Sequence, residues 1–141
     1  MGFFDRIFAS SKGYEPLDEK SLAANRIDKI RDQLESLSKQ VHKPLEVVPG
    51  EEGGYVFIGK PPKNFGIAWI EDNELHSLKS LADNGAKPED LKALTDKLRE
   101  IYQANQDDAR YSTKVGSKDI IVTPSEKMKN QVSDVIHQAT N

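Results

Sequence analysis

Cysteine does not occur in this chain, which excludes a disulfide framework, thiolate chemistry and a cysteine-built zinc site. Long apolar runs are missing as well. No stretch approaches the ~20 consecutive apolar residues that cross a bilayer as a helix. The opening apolar stretch is too short for a secretory signal, has no basic region ahead of it and is interrupted by Asp5-Arg6. A myristoylation signal is not met, because Arg6 stands where serine or threonine is needed. Excess positive charge is also lacking: 20 Lys+Arg stand against 23 Asp+Glu, a net charge of −3. Binding to nucleic acid, or of the whole chain to anionic lipid, therefore has no bulk electrostatic basis. A chain without cysteine suits a reducing compartment. The expected location is the cytoplasm, with peripheral attachment at the inner face of a membrane as an option.

Signatures of catalysis are equally scarce. His42, His76 and His137 are far apart and lack a second ligand at a metal-binding spacing; Asp72 four residues before His76 is a common pairing. No serine occupies a G-x-S-x-G elbow. Gly50–Gly54 carries Glu51 and Glu52, the wrong charge for phosphate, and Gly116-Ser117-Lys118 is followed by a strand pattern where a phosphate loop needs a helix. Glu51-Glu52, Glu71-Asp72 and Asp107-Asp108 fall in turns or helix starts, where solvated carboxylates are ordinary. No cofactor, metal or catalytic residue is expected.

What is present is concentrated at the start. Three of the five phenylalanines fall in the first eight residues, and Phe3, Phe4, Ile7 and Phe8 follow helical spacing. On a helical wheel they share an arc of roughly 140°, opposite Asp5 and Arg6. Burying these four side chains offers ~6–12 kcal/mol. Ordering eight residues costs about 12 kcal/mol, so the segment orders only against a surface. That surface is its own domain, another protein or copy, or a membrane interface. The segment resembles the amphipathic starts of bacterial membrane-associated proteins such as the phage-shock protein A group. The resemblance ends with these residues, since the long coiled-coil body of that group does not follow. Asp5 offsets Arg6, whereas interfacial helices carry several basic residues on the polar face.

Residues 9–16 are small, polar and punctuated by Gly13 and Pro16, which predicts a flexible tether. The expected organisation is this segment and tether over 1–16, then a single compact domain over 17–141. Asp18 reads as the N-cap of a long helix reaching about His42, with Ala23, Ile27, Ile30, Leu34, Leu37 and Val41 as its seam. A homodimeric coiled coil would need opposite charges beside that seam. Ala24, Arg31, Ser38 and Arg26, Gln33, Gln40 do not supply them.

Strands are expected at Leu45–Val48, Tyr55–Gly59 and Phe65–Ile70, forming an antiparallel meander, with a last, central strand at Asp119–Val122. Asp72 or Asn73 caps a helix with Leu75, Leu78, Leu81 and Ala82, ended by Asn84-Gly85; Pro88 opens the next, with Leu91, Leu94, Leu98 and Ile101. Residues 103–116 read as a long loop. Thr123-Pro124-Ser125-Glu126 reads as a capping box before a final helix. The expected fold is α+β, a largely antiparallel sheet of about four short strands packed by four helices, in the order α-β-β-β-α-α-β-α.

The middle strands are apolar on both faces, so the sheet is covered on both sides or has one open docking face. Tyr55, Phe57, Phe65 and Trp69 can share one face, beside Lys60 and Lys63. That is a possible ligand face of the base-stacking kind, or simply core beneath the first helix. The hairpin at 73–103 is a poor helix-turn-helix, because its second helix opens Pro-Glu-Asp toward the DNA phosphates.

The function expected is a non-catalytic accessory or adaptor protein. It would dock to a protein partner, to another copy of itself or to a membrane surface through Phe3, Phe4, Ile7 and Phe8. The alternative is a small-ligand (metabolite or nucleotide) binding domain or small enzyme, with a pocket beside the aromatic meander.

Overall fold

The computed structural model describes residues 14–140. In chain order its elements are β1 (Glu15–Pro16), α1 (Leu22–Lys29), α2 (Arg31–Gln40), β2 (Leu45–Pro49), β3 (Gly54–Lys60), β4 (Asn64–Glu71), β5 (Glu74–Ser77), α3 (Leu78–Asp83), α4 (Pro88–Ala104), β6 (Tyr111–Val115), β7 (Lys118–Val122) and α5 (Glu126–Thr140). The strands form one sheet in the order β1-β6-β7-β2-β3-β4-β5.

The fold is α+β, but the expected four-stranded, largely antiparallel sheet with four helices is incorrect. Among the described residues there are seven strands and five helices, and the sheet is mixed. β2 pairs antiparallel with β3, and β3 with β4, as a meander. β7 instead joins β2 in parallel, with Glu46 opposite Ile121 and Val47 opposite Val122. Strand β1 is also parallel to its neighbour β6. Nothing local to the last strand dictates this pairing. Its Ile120 and Val122 are buried on both flanks only in a central position, which seats it between β6 and β2.

Three strands or turns differ from expectation for identifiable reasons. Asp72 and Asn73 are not helix caps. Both have positive φ, 54° and 64°, the two-residue turn that suits the twist of an antiparallel hairpin. They reverse β4 into β5, where Trp69 faces His76 and Ile70 faces Leu75. The helix begins only at Leu78, capped by Ser77, whose hydroxyl accepts from the Ser80 amide while Ser80 answers the Ser77 amide. Inside the expected loop over 103–116, Tyr111–Val115 pairs antiparallel with β7. Glu15 and Pro16, at the end of the expected tether, add a two-residue strand on β6.

The first helical region keeps its predicted seam but not its continuity. Ala23, Ile27, Ile30, Leu34 and Leu37 are all buried. Ile30 leaves helical geometry at φ −118°, ψ 18° and separates α1 from α2. Arg31 spans this break, bonding Asp28 on one side and the Lys114 carbonyl of β6 on the other. The N-cap is Ser21 rather than Asp18, its hydroxyl accepting from the Ala24 amide.

Both faces of the sheet are covered. Helices α1 and α2 pack on Leu45, Val47, Val56, Ala68, Ile70, Ile120 and Val122. Helices α4 and α5 pack on Val48, Phe57, Ile67 and Trp69, through Leu94, Leu98, Tyr102, Met128, Val132 and Ile136. The continuous apolar character of the central strands follows from this double burial.

Candidate functional site

The expected ligand face is brought together, and it lies beneath α4 and α5 rather than beneath the first helix. Phe57 is 0 % exposed and touches Phe65 and Tyr102, with ring centroids 5.6 and 5.3 Å away. Trp69 is buried and stacks on His76 at 5.7 Å. Tyr55 is half-buried; burial raises its phenol pKa, and a hydrogen bond with Ser133 works the other way. Lys60, the last residue of β3, and Lys63, on the loop from β3 to β4, are exposed. Arg99 holds that loop, Nε donating to the Pro62 carbonyl at 2.7 Å, with its guanidinium 5.5 Å from the Phe65 ring centroid. Stacking a base on Phe57 would require α4 to leave the sheet.

A buried polar network lies beside these rings, and it centres on Glu46, which sequence reasoning passed over. β2 reads Leu45-Glu46-Val47-Val48, and every residue in it is buried. The alternation of side chains sends Leu45 and Val47 toward α1 and α2, and Glu46 with Val48 toward α4 and α5. Three donors meet the carboxylate there. Tyr102 donates its hydroxyl to Oε1 at 2.7 Å; Arg110 Nε and the Thr123 hydroxyl donate to Oε2 at 2.9 and 2.7 Å. The Glu46 and Arg110 side chains are each 6 % exposed. The predicted cap Thr123 is drawn into this network, so Ser125 caps α5 instead, accepting from the Met128 amide at 3.1 Å.

Arg110 also shapes the chain between α4 and β6. Its Nη1 donates to the carbonyls of Asn105, Gln106 and Asp108, and its guanidinium carbon sits 5.1 Å from the Tyr102 ring centroid. Burial opposes its charge, but Glu46 and Tyr102 more than restore it, and its pKa is raised. The Tyr102 phenol is pushed well above its ordinary value, first by burial and then by the Glu46 carboxylate. Three buried polar atoms of this segment have no partner among the described residues: Arg110 Nη2, Asp108 Oδ2 and Asn105 Oδ1. Tyr14, Pro61, Tyr102, Gln106, Asp108 and Arg110 line a cavity of about 330 Å³ above them. A search for the partner of a lone carboxylate in an apolar strand would have found Glu46, since a buried charge requires one.

A second chain of polar groups joins α5 to β4. Ser133 Oγ lies 3.3 Å from His137 Nδ1, and His137 Nε2 lies 3.1 Å from Glu71 Oε1. The order resembles a hydrolytic triad, but the serine stands inside a helix whose amides are committed to its own carbonyls, leaving no local oxyanion donors. His137 and Glu71 are also about half exposed. We read this chain as a surface tie. Among the described residues no group of three metal-ligating side chains converges, and no helix is long and apolar enough to cross a membrane.

Phe3, Phe4, Ile7 and Phe8 lie outside the described residues. The surface next to them in the chain is nevertheless distinctive. Among the described residues the large apolar side chains left exposed are Tyr14, at 37 %, and Leu22, at 64 %. Leu22 lines a groove of about 460 Å³ with Pro16, Leu17, Pro49, Tyr111 and Pro124. No protein-family model, curated protein or solved structure matches this chain.

Proposed function

We propose that this protein is a non-catalytic accessory or adaptor protein that docks to a protein partner through its Phe-rich N-terminal segment. The observation that carries this reading is the position of the exposed apolar side chains. Tyr14 is the first described residue after the segment that carries Phe3, Phe4, Ile7 and Phe8, and Leu22 opens α1 eight residues further on. What supports the reading is the exposed Leu22 in a mostly apolar groove together with an apolar segment that gains by burial. Self-association and attachment to a membrane surface are the other uses of the same segment. Replacing Phe4 and Phe8 together by serine is expected to leave the thermal midpoint nearly unchanged. It should abolish whichever association the native chain shows, in pull-down, sedimentation velocity or vesicle co-sedimentation. A large fall in the midpoint would place these rings in the core and overturn the reading.

A small-ligand role is the second reading, favoured by the cavity over Arg110. Arg110 Nη2, a donor, and Asp108 Oδ2, an acceptor, are buried without a partner among the described residues, and both belong to side chains that line it, so a small shift of either would present them to a ligand. Asp108 and Glu46 counter the cation, so a neutral ligand offering both an acceptor and a donor fits better than phosphate. A panel of metabolites and nucleobases read by thermal shift is expected to give stabilisation that Asp108→Asn removes. Silence across the panel would leave the adaptor reading alone.

A further inference from the structure

We propose that the groove formed by Pro16, Leu17, Leu22, Pro49, Tyr111 and Pro124 is the resting seat of this chain's own N-terminal apolar segment, which a partner must draw out. The inference rests on the adaptor reading and adds its regulation.

Three observations converge on that occupant. The groove is mostly apolar and sits at the root of the segment, with Pro16 and Leu17 in its wall. Thirteen residues precede Tyr14. The five from Ala9 to Gly13 reach up to about 17 Å, enough to turn back along β1, and Gly13 tolerates the reversal. The charges also match. Glu15, Asp18 and Glu126 surround the groove, and its Arg26 is already engaged by Glu126 at 2.6 Å and Glu51 at 3.8 Å. The thirteen residues before Tyr14 bring Arg6 and Lys12 against a single acid, Asp5.

Only with all four apolar side chains fully buried in the groove does the gain, at its upper value of ~12 kcal/mol, match the cost of about 12 kcal/mol for ordering eight residues. Docked and released forms are then of similar population, and a modest partner affinity suffices to shift them. Leu22 would shelter Phe4 or Phe8 in the docked form and is left exposed in the released one.

The absence of cysteine allows a unique spin label through Gly2→Cys in the full chain. The amides of Leu17, Ala23 and Tyr111 are expected to broaden strongly, and to recover when Phe4→Ser/Phe8→Ser or Leu22→Asp is added. Leu22 is exposed, so the aspartate should not disturb folding, which circular dichroism checks. Unchanged broadening in those variants would overturn the proposal. So would broadening that grows with protein concentration, which would assign the groove to a second copy. In parallel, Leu22→Asp is expected to raise binding to the partner, or to phosphatidylethanolamine–phosphatidylglycerol vesicles, by about twofold. If Phe4→Ser/Phe8→Ser abolishes that binding while the groove amides never respond, the adaptor reading stands and the resting seat falls.

Discussion

Replacing Glu46 by alanine is expected to lower the unfolding free energy by about 3–5 kcal/mol, a large part of the 5–15 kcal/mol typical of a domain. The loss does not measure how favourable the ion pair is. It is the cost of leaving the Arg110 guanidinium buried and charged after its counter-ion has gone, with the Tyr102 and Thr123 hydroxyls deprived of their acceptor. Urea unfolding checks it. Arg110→Met in the same chain should restore part of the loss, because a matched apolar pair leaves no orphaned charge. Purely additive losses would show that the pair is not coupled. The same network has an alkaline signature. Tyr102 holds its proton more tightly in the folded state than in the unfolded one, because burial and then Glu46 raise its pKa from 10.0. Its contribution is complete below the unfolded value and is lost as pH rises toward the folded one. The urea midpoint should therefore fall as pH rises beyond about 10, and Tyr102→Phe should flatten that decline.

Phe57→Ala is expected to cost about 3–5 kcal/mol, again read by urea unfolding. The ring is fully buried between the sheet and Leu98, Tyr102 and Met128, among other side chains of α4 and α5. Its removal leaves a cavity that two helices and a sheet cannot easily close. The magnitude separates two roles for the aromatic face. A stacking platform for ligands would surrender binding and keep its stability, whereas a core residue surrenders stability first. A change below about 1 kcal/mol would return the face to consideration as a binding surface.

Much of the local structure was legible. The seam from Ala23 to Leu37 was readable because burial of one helical face imposes its period on the sequence. Pro88 with Glu89 and Asp90 announced α4, and Asn84-Gly85 the end of α3, where Gly85 takes φ 102°. The double-sided apolar strands announced either a sheet covered on both faces or one open docking face, and the packing of α1 with α2 and of α4 with α5 decided for the first. Other signals were present and misassigned. Asp72-Asn73 is turn chemistry as well as cap chemistry, and only the pairing of Glu74–Ser77 with β4 separates the two. Tyr111–Val115 carries Ser112, Thr113 and Lys114, so its pattern looked like a loop. It is a strand because β7 needs a neighbour.

The sequence by itself determined where helices gain an apolar face and which strands are apolar on both sides. These properties depend on residues a few positions apart, where period, capping and turn chemistry act. The tertiary structure alone decided the parallel pairing of β7 with β2, the break at Ile30, and the meeting of Glu46 with Tyr102, Arg110 and Thr123. Those contacts join residues 56, 64 and 77 positions apart. Their energy comes from removing charge and apolar surface from water together, which happens only once the sheet has closed.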